Sequence, residues 1–225
     1  MTAAAPVVVK IGGARAVDPE GVLADVAAVR DDGTDVVVVH GGSTAVDDTL
    51  ERMGMEPEYV ETPSGVVGRF TDAETMDVFT MAMAGRVNTD LVVGLRAEGV
   101  DAVGLSGVDL ADEGVAVNTD ADRAAAAVAA ELGARLVSLT DVAGVYRDPD
   151  APATVIDRVE TPAEYEVLTE AAEGFMSRKV MAAEEALAGG ASEVVVADAN
   201  ADEPVRSALS GGGTHVLPGA LGGEQ

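Results

Sequence analysis

The chain contains two lysines, Lys10 and Lys179, and its other twelve basic residues are all arginine. Lysine carries a compact ammonium group that suits phosphates and active sites, whereas arginine spreads its charge over a planar fork. Because lysine is so rare in this chain, the two lysines that remain suggest a chemical requirement for an ammonium group at these positions. The alternative is that they remain by chance. We interpret both lysines as candidate phosphate-binding groups.

Lys10 stands just before a pair of glycines, at the end of a β-branched run over 7–11. Such a run predicts a buried strand, and the pair Gly12–Gly13 lets the backbone turn sharply and approach a ligand closely. The pattern recurs after the strand predicted at 35–40, which stops at Gly41–Gly42. Both turns are expected at the edge of a parallel sheet where ligands bind. The alternative is two ordinary tight turns, because a short glycine motif alone is weak evidence.

Further polar residues stand where chemistry or simple capping would place them. Asn118, Thr119 and Asp120 follow a predicted strand and open an Ala-rich helix, and all three are types that cap helices. Capping does not require the second acid, Asp122. Arg69 precedes a long predicted helix, and it is either a solvated loop residue or a clamp for a carboxylate, since its fork suits bidentate recognition.

The elements that must position these residues alternate along the chain, which predicts a parallel sheet with right-handed crossovers. Strands are predicted at 7–11, 35–40, 101–107, 114–117, 136–146 (with a turn), 193–198 and, as an edge strand, 211–216. A loop or hairpin is predicted at 59–70, and helices at 18–31, 43–54, 72–99, 119–132, from 161 and at 174–187. The predicted helix 72–99 opens with a capping-box pair, Thr71 and Glu74. Its methionine-rich face predicts a packing surface, either core or subunit interface.

The composition excludes several classes of protein. The formal charge of −26 argues against non-specific nucleic-acid binding, because such binding depends on cations that neutralise phosphates. The acidic residues are spread along the chain, which is typical of proteins that work in high salt, where screening weakens self-repulsion. The absence of cysteine excludes disulfides and thiolate metal sites. No apolar run is long enough to span a membrane and no signal peptide opens the chain, so we expect a cytoplasmic protein with no membrane partner.

Taken together, the motifs resemble those of the amino-acid kinase family, in its acetylglutamate kinase branch. The matching motifs occur in the family's order and cover nearly the whole chain: Val-Lys10-Ile-Gly12-Gly13, Val-His40-Gly41-Gly42, Val-Asn118-Thr-Asp-Ala-Asp122, Leu-Thr140-Asp141-Val-Ala-Gly144-Val and Gly174-Phe-Met-Ser-Arg-Lys179. Within that branch, the stretch 64–75 with Phe79-Thr80-Met81 is similar to kinases that act on aminoadipate or glutamate attached to an amino-group carrier protein.

The resemblance implies phosphoryl transfer from ATP to a side-chain carboxylate, which yields an acyl phosphate in lysine or arginine biosynthesis. It implies catalytic roles for Lys10, Lys179 and Asp122, with the ammonium groups flanking the phosphates and Asp122 orienting them. Mg²⁺ is expected on the ATP phosphates, bound mostly by phosphate and water and by no protein ligand. No protein base is expected, because the nucleophile is already a carboxylate.

The resemblance also divides the remaining site residues between substrate and nucleotide. The implied substrate-binding residues are Gly41, Gly42, Arg69 and Asn118, with Arg69 at the α-carboxylate end. The implied nucleotide-binding residues are Lys10, Gly12, Gly13, Asp141, Tyr146 and Lys179. The implied fold is α/β, a three-layer sandwich around a mainly parallel sheet. It forms a single domain in which 1–110 binds substrate and dimerises and 111–225 binds the nucleotide. The implied partners are a second copy in a homodimer and an acidic carrier protein.

One departure from the family's pattern leaves alternatives open. Family members carry several tens of residues between the strand at 101–107 and the strand before Asn118, whereas this chain has only 108–117. The alternatives are a kinase for free N-acetylglutamate, and a kinase of the same fold for carbamate, a nucleoside monophosphate or an isoprenoid phosphate. A non-catalytic amino-acid- or nucleotide-binding protein is the third. A dinucleotide-dependent oxidoreductase is disfavoured, because neither glycine turn fits G-x-G-x-x-G.

Overall fold

The computed structural model describes residues 5–12, 19–61, 67–107 and 118–222. The strands are β1 Val7–Ile11, β2 Val36–His40, β3 Tyr59–Glu61, β4 Val67–Arg69, β5 Arg135–Thr140, β6 Arg158–Val159, β7 Glu193–Asp198 and β8 Thr214–Val216. The helices are α1 Pro19–Asp31, α2 Ser43–Arg52, α3 Ala73–Thr80, α4 Asn88–Ala97, α5 Ala121–Leu132, α6 Pro162–Ala171, α7 Phe175–Ala188 and α8 Pro204–Leu209, and a π-helical segment, Met81–Val87, joins α3 to α4. Within these ranges, no helix is both long and apolar enough to cross a bilayer.

The described residues divide into two compact units. The first contains β1, α1, β2 and the chain from Asp120 onward, and the second runs from Gly42 to Thr119. The sequence predicted a boundary near residue 110 instead. The N-terminal strands join the C-terminal half because β1 hydrogen-bonds to β2 on one side and to β5 on the other. The roles predicted for 1–110 and 111–225 stay predictions.

The first unit is built on a six-stranded sheet in the order β2-β1-β5-β7-β8-β6. The pairs β2-β1, β1-β5, β5-β7 and β8-β6 are parallel, and β7-β8 is antiparallel. This confirms the predicted α/β fold with a mainly parallel central sheet. The predicted edge strand at 211–216 is wrong in its position, because β8 lies between β7 and the two-residue edge strand β6.

Helices cover both faces of this sheet. Val8, Leu136 and Val194 are in register on adjacent strands and belong to a buried cluster with alanines of α5 and α7. Successive side chains of a strand point to opposite faces, so the alternate residues Val9 and Val137 face the other side, where α8 packs on β5 and β7 and α1 packs on α8. The result is three layers, helix on sheet on helix.

A buried carboxylate joins α1 to α8. Asp25 on α1 is 4% exposed and accepts hydrogen bonds from the backbone N–H of Val205 (2.6 Å) and of Arg206 (2.9 Å) and from the Arg206 Nε (2.8 Å). Glu203, the residue before α8, makes no side-chain cap bond. Asp25 therefore caps α8 from a different helix, satisfying N–H groups that a helix start leaves without partners.

Replacing Asp25 by asparagine is expected to lower the free energy of unfolding by about 2 kcal/mol. The amide is uncharged, and its NH2 group would face the buried N–H donors that the carboxylate now accepts from. Urea denaturation measures this loss. Asp31→Asn, an exposed acid at the end of the same helix, is the matched control and is expected to stay within about 0.5 kcal/mol of the wild type. Equal stability of the two variants would contradict the capping role.

The second unit packs α2 against the helical run that begins with α3. Its buried core comprises Val46, Leu50, Val78 and Ala82. The antiparallel pair β3-β4 lies between α2 and α3 in the sequence. The predicted hairpin region and the long helical region are both present. The start of α3 differs from the prediction, because Asp72, and not Thr71, accepts the capping bond from the backbone N–H of Thr75 (2.9 Å).

The strand predicted at 101–107 is absent from the structure. Val103 is 80% exposed and Leu105 is 59% exposed, and neither belongs to a sheet. The segment is held instead by Arg96, whose Nε and Nη2 donate to the carbonyl oxygen of Ala102 at 3.1 and 3.0 Å. The prediction is wrong because an apolar run forms a strand only beside a partner strand, and the described residues supply none here. The strand predicted at 114–117 lies outside the described residues.

Candidate active site

Three charged side chains of the first unit meet in a buried cluster. Lys10 lies on β1, Asp122 in the first turn of α5 and Lys179 in the second turn of α7. The Lys10 Nζ lies 2.9 Å from Asp122 Oδ1, and the Lys179 Nζ lies 3.1 Å from Oδ1 and 3.3 Å from Oδ2. The exposed fractions of the side chains are 7%, 13% and 9% in chain order. The structure therefore brings together the three residues predicted to be catalytic.

Close helix packing sets this geometry. Helices α5 and α7 pack on each other through alanines that are almost fully buried: Ala125, Ala126, Ala129, Ala182, Ala183 and Ala186. Small side chains let two helix axes approach closely. Asp120 caps α5 by accepting from the N–H groups of Asp122 and Arg123, so the first turn that carries the Asp122 carboxylate is fixed.

The charges in the cluster act on each other. Burial alone would raise the pKa of Asp122, but the adjacent Lys10 and Lys179 ammonium groups outweigh it and hold this pKa below its usual value. Burial, and then the like charge of Lys10, lower the pKa of Lys179 against the opposing pull of Asp122. With the carboxylate ionised and both lysines protonated, the cluster carries one net positive charge in a chain of net charge −26. A buried excess of positive charge suits a polyanionic ligand.

Ser138 is a member of this cluster that the sequence did not reveal. It is paired with Lys10 across β1 and β5, and its Oγ donates to Asp122 Oδ1 at 3.3 Å. The only signal in the sequence is a serine between apolar residues of the strand. The pairing register that brings it beside Lys10 joins residues far apart in the chain, so local pattern could not predict it.

The predicted glycine turns lie at the carboxyl ends of two adjacent parallel strands. Gly12 follows β1, and Gly41 follows β2 and donates its N–H to the carbonyl of Ile11 at 3.3 Å. That bond commits the Gly41 N–H to the protein. Gly42 begins α2 with φ +55°, and a Cβ there would lie 2.5 Å from the Met83 Sδ, so the position favours glycine. Gly13 lies outside the described residues.

Two of the predicted substrate residues, Arg69 and Asn118, belong to the second unit. The side chain of Arg69 is 5% exposed, and its Nη2 contacts Asp47 Oδ1 at 2.7 Å. Asn118 donates from Nδ2 to the Thr71 Oγ1 at 3.0 Å, and the Thr71 hydroxyl in turn donates to the Arg69 carbonyl oxygen. Arg69 is thus a buried, held side chain, which disfavours its interpretation as a solvated loop residue. Asp47 is a partner that the sequence did not indicate.

Two of the predicted nucleotide residues, Asp141 and Tyr146, follow β5 in the first unit. Asp141 is exposed and its Oδ1 accepts from the Thr140 hydroxyl at 3.2 Å. The Tyr146 hydroxyl accepts from the backbone N–H of Ala143 at 3.3 Å, which closes the turn after the strand. These contacts join neither residue to the charged cluster, and their role toward a nucleotide stays a prediction.

Comparison with known sequences decides the family. The sequence profile described as "Amino acid kinase family" matches residues 5–115 and 107–198. The chain belongs to the amino acid kinase family. The two matched stretches of this amino acid kinase overlap at 107–115, in the region where the sequence predicts a chain shorter than other family members.

Similar proteins in other organisms carry kinase names. The chain is 35% identical to the LysW-aminoadipate kinase of Deinococcus radiodurans, over 93% of this chain and 91% of that protein. It is 35% identical to the LysW-aminoadipate kinase of Thermus thermophilus, over 93% and 99%. It is 36% identical to the acetylglutamate kinase of Methanopyrus kandleri, over 84% and 93%. The first of these alignments runs over 267 residues, more than the 225 of this chain, so the relative has residues with no counterpart here.

Solved structures share the fold of this amino acid kinase. The N-acetylglutamate synthase of Neisseria gonorrhoeae superposes with a TM-score of 0.75 at 23% identity, covering 95% of this chain and 59% of that longer chain. The carbamate kinase of Giardia lamblia superposes with a TM-score of 0.70 at 16% identity, covering 96% and 99%. These likenesses confirm the three-layer fold.

Proposed function

We propose that this protein transfers the γ-phosphoryl group of ATP to the side-chain carboxylate of aminoadipate or glutamate. The amino group of that substrate is linked to a carrier protein, and the product is an acyl phosphate of lysine or arginine biosynthesis. The cluster of Lys10, Asp122 and Lys179 is the observation that carries the proposal, because it presents two buried ammonium groups held by one carboxylate. The names of the Deinococcus and Thermus relatives support the carrier-linked substrate.

The chemistry needs charge and position more than it needs proton transfer. A substrate carboxylate oxygen forms a bond to the γ-phosphorus, the bond from that phosphorus to the β–γ bridging oxygen breaks, and ADP leaves with the electron pair. In such a transfer the catalyst acts mainly by aligning the reactants and neutralising charge on the moving group. Lys10 and Lys179 would neutralise phosphate oxygens, and Asp122 would keep the two ammonium groups at fixed positions.

The family uses ATP, and we propose that Mg²⁺ accompanies it. Among the described residues no group of three or more histidine or acidic side chains could hold a metal ion. Phosphate oxygens and water would be its main ligands, and the ion would offset phosphate charge. For the remaining contacts we propose that Gly12, Gly41 and Gly42 border the phosphates and substrate. Asp141 and Tyr146 bind the nucleotide, and Arg69 and Asn118 bind the amino-acid part.

We further propose a cytoplasmic homodimer that works in high salt. The charge of −26 supports the salt requirement, because screening reduces repulsion within the chain and toward an acidic carrier protein. Exposed Met81, next to the buried core of the second unit, supports an interface on the methionine-rich helical face.

A substrate panel tests the proposed function. ADP release is measured in molar potassium chloride with carrier-linked aminoadipate, carrier-linked glutamate, free N-acetylglutamate, carbamate and uridine monophosphate. We expect turnover with a carrier-linked substrate, at least tenfold above that with N-acetylglutamate in kcat/KM. A preference for free N-acetylglutamate would favour the second candidate, which the Methanopyrus relative supports. No turnover with any carboxylate, together with retained ligand binding, would favour a non-catalytic protein.

A further inference from the structure

Arg69 lies in a closed hydrogen-bonded ring within the second unit. Its Nη2 donates to Asp47 Oδ1 (2.7 Å), to the Tyr59 hydroxyl oxygen (3.0 Å) and to the carbonyl oxygen of Ser43 (3.0 Å). The Tyr59 hydroxyl donates in turn to Asp47 Oδ2 at 2.9 Å. The guanidinium carbon also lies 5.5 Å from the centre of the Tyr59 ring, within the range of a cation–π contact. Two elements, α2 and β3, therefore fix one nitrogen of this side chain, which β4 carries.

The Nε of the same guanidinium is not held by hydrogen bonds as Nη2 is. The Arg69 Nε is buried and has no hydrogen-bond partner among the residues that the structure describes. A buried donor without an acceptor is costly, and such atoms are rare in folded proteins. Asp47 and Tyr59 bond to Nη2 and not to Nε, so they do not supply the missing acceptor. The unsatisfied donor points to a ligand that brings an acceptor oxygen.

We propose that Asp47 and Tyr59 are positioning residues, which hold Arg69 by its Nη2 so that its Nε can donate to the α-carboxylate of the amino-acid substrate. This inference rests on the proposed function. Asp47 keeps the guanidinium from rotating, and Tyr59 supports it by a hydrogen bond and a ring face. Because the arginine side chain is already ordered before the substrate binds, binding costs less conformational entropy and the affinity is higher.

If Asp47 competed with the substrate for Arg69, its removal would change KM in the opposite direction. A carboxylate beside Arg69 could simply compete with the substrate carboxylate for the same cation, and its removal would then tighten substrate binding. The two roles differ in sign, so steady-state kinetics separates them. The positioning role also predicts that a neutral acceptor at residue 47 serves almost as well as the carboxylate.

Three variants test the proposal with the carboxylate substrate that the wild-type enzyme prefers in the panel. Asp47→Ala is expected to raise KM for that substrate about tenfold, because one strong bond to the guanidinium is lost. Its kcat and its KM for ATP are expected to stay within about twofold of the wild type. Asp47→Asn is expected to restore most of the affinity, since its amide oxygen still accepts from Nη2. Glu51→Ala, an exposed acid on the same helix, is the control for lost charge.

The results of these variants either support or overturn the positioning role. An unchanged or lowered KM for the carboxylate substrate in Asp47→Ala overturns the proposal, and so does an equal rise in Glu51→Ala. If Asp47→Ala fails to fold, Tyr59→Phe replaces it, with an expected KM increase of about threefold from the lost hydroxyl and no increase as the overturning result. A wild-type enzyme that phosphorylates no carboxylate overturns the proposed function alone. Calorimetric titration with N-acetylglutamate then tests the positioning role, which equal affinities of wild type and Asp47→Ala would overturn.

Discussion

Replacing either Lys10 or Lys179 by arginine is expected to lower turnover at least a hundredfold, about 2.7 kcal/mol of barrier, while the chain stays folded. Each ammonium group is a compact charge within 3.1 Å of an Asp122 oxygen, on a side chain that is at most 9% exposed. A guanidinium is wider and planar, and it spreads the same charge over three nitrogens, so it cannot place that charge on the same phosphate oxygens. Coupled measurement of ADP release with the preferred substrate gives the loss.

The folded state of these variants is verified by circular dichroism and thermal unfolding. The reverse substitution Arg123→Lys, at an exposed arginine that pairs with Glu185, serves as the control and is expected to keep wild-type turnover. Should Lys10→Arg or Lys179→Arg retain more than about a tenth of the wild-type turnover, less than ~1.4 kcal/mol of barrier would depend on the ammonium group, and the assigned role would be wrong.

Replacing Asp122 by alanine is expected to destabilise the fold by about 3–5 kcal/mol, because it leaves two buried ammonium groups facing each other without a counter-charge. Urea denaturation at neutral pH measures the loss. Removing one of the two lysines as well relieves the repulsion, so the double variant Asp122→Ala with Lys179→Met is expected to recover more than half of the lost stability. A double variant no more stable than Asp122→Ala would contradict a cluster held by charge.

The pH dependence of the same loss follows from the pKa of Asp122. The folded-state pKa is lowered, so the folded protein binds this proton less tightly than the unfolded chain does. The stabilising contribution is therefore present above the ordinary carboxyl range near pH 4, and it is lost as the pH falls through the folded-state pKa. The stability difference between wild type and Asp122→Ala is expected to shrink below about pH 4. A difference that is constant between pH 3 and pH 7 would contradict this.

The sequence predicted those parts of the fold and site that depend on local pattern. The β-branched runs at 7–11 and 193–198 became buried strands, and the helix predicted from 161 is α6, which Thr161 and Glu164 cap. The grouping of Lys10, Asp122 and Lys179 was implied by the resemblance to the amino acid kinase family, and no local pattern of the sequence shows it. Only the grouping of these three is observed here, and their catalytic roles are proposals.

The remaining features depend on contacts between distant residues. Ser138 reaches Asp122 through strand register, and Asp47 reaches Arg69 across 22 positions of the chain, so neither carries a local signal. The strand predicted at 101–107 has the right composition but no partner among the described strands. The π-helical segment, Met81–Val87, keeps an apolar pattern that is indistinguishable from that of an α-helix over so few residues.

The burial of both lysines has a consequence for proteolysis. Lys10 and Lys179 are 5% and 9% exposed, and no other lysine stands anywhere in the chain. A protease that cuts after lysine therefore finds no site on the folded surface, and it cleaves only when the charged cluster opens. The rate of such cleavage reports the opening free energy of this one region, separately from loops and termini that other proteases attack first. A nucleotide bound to the two ammonium groups would slow the cleavage, so the cleavage rate would measure the fraction of protein that has nucleotide bound.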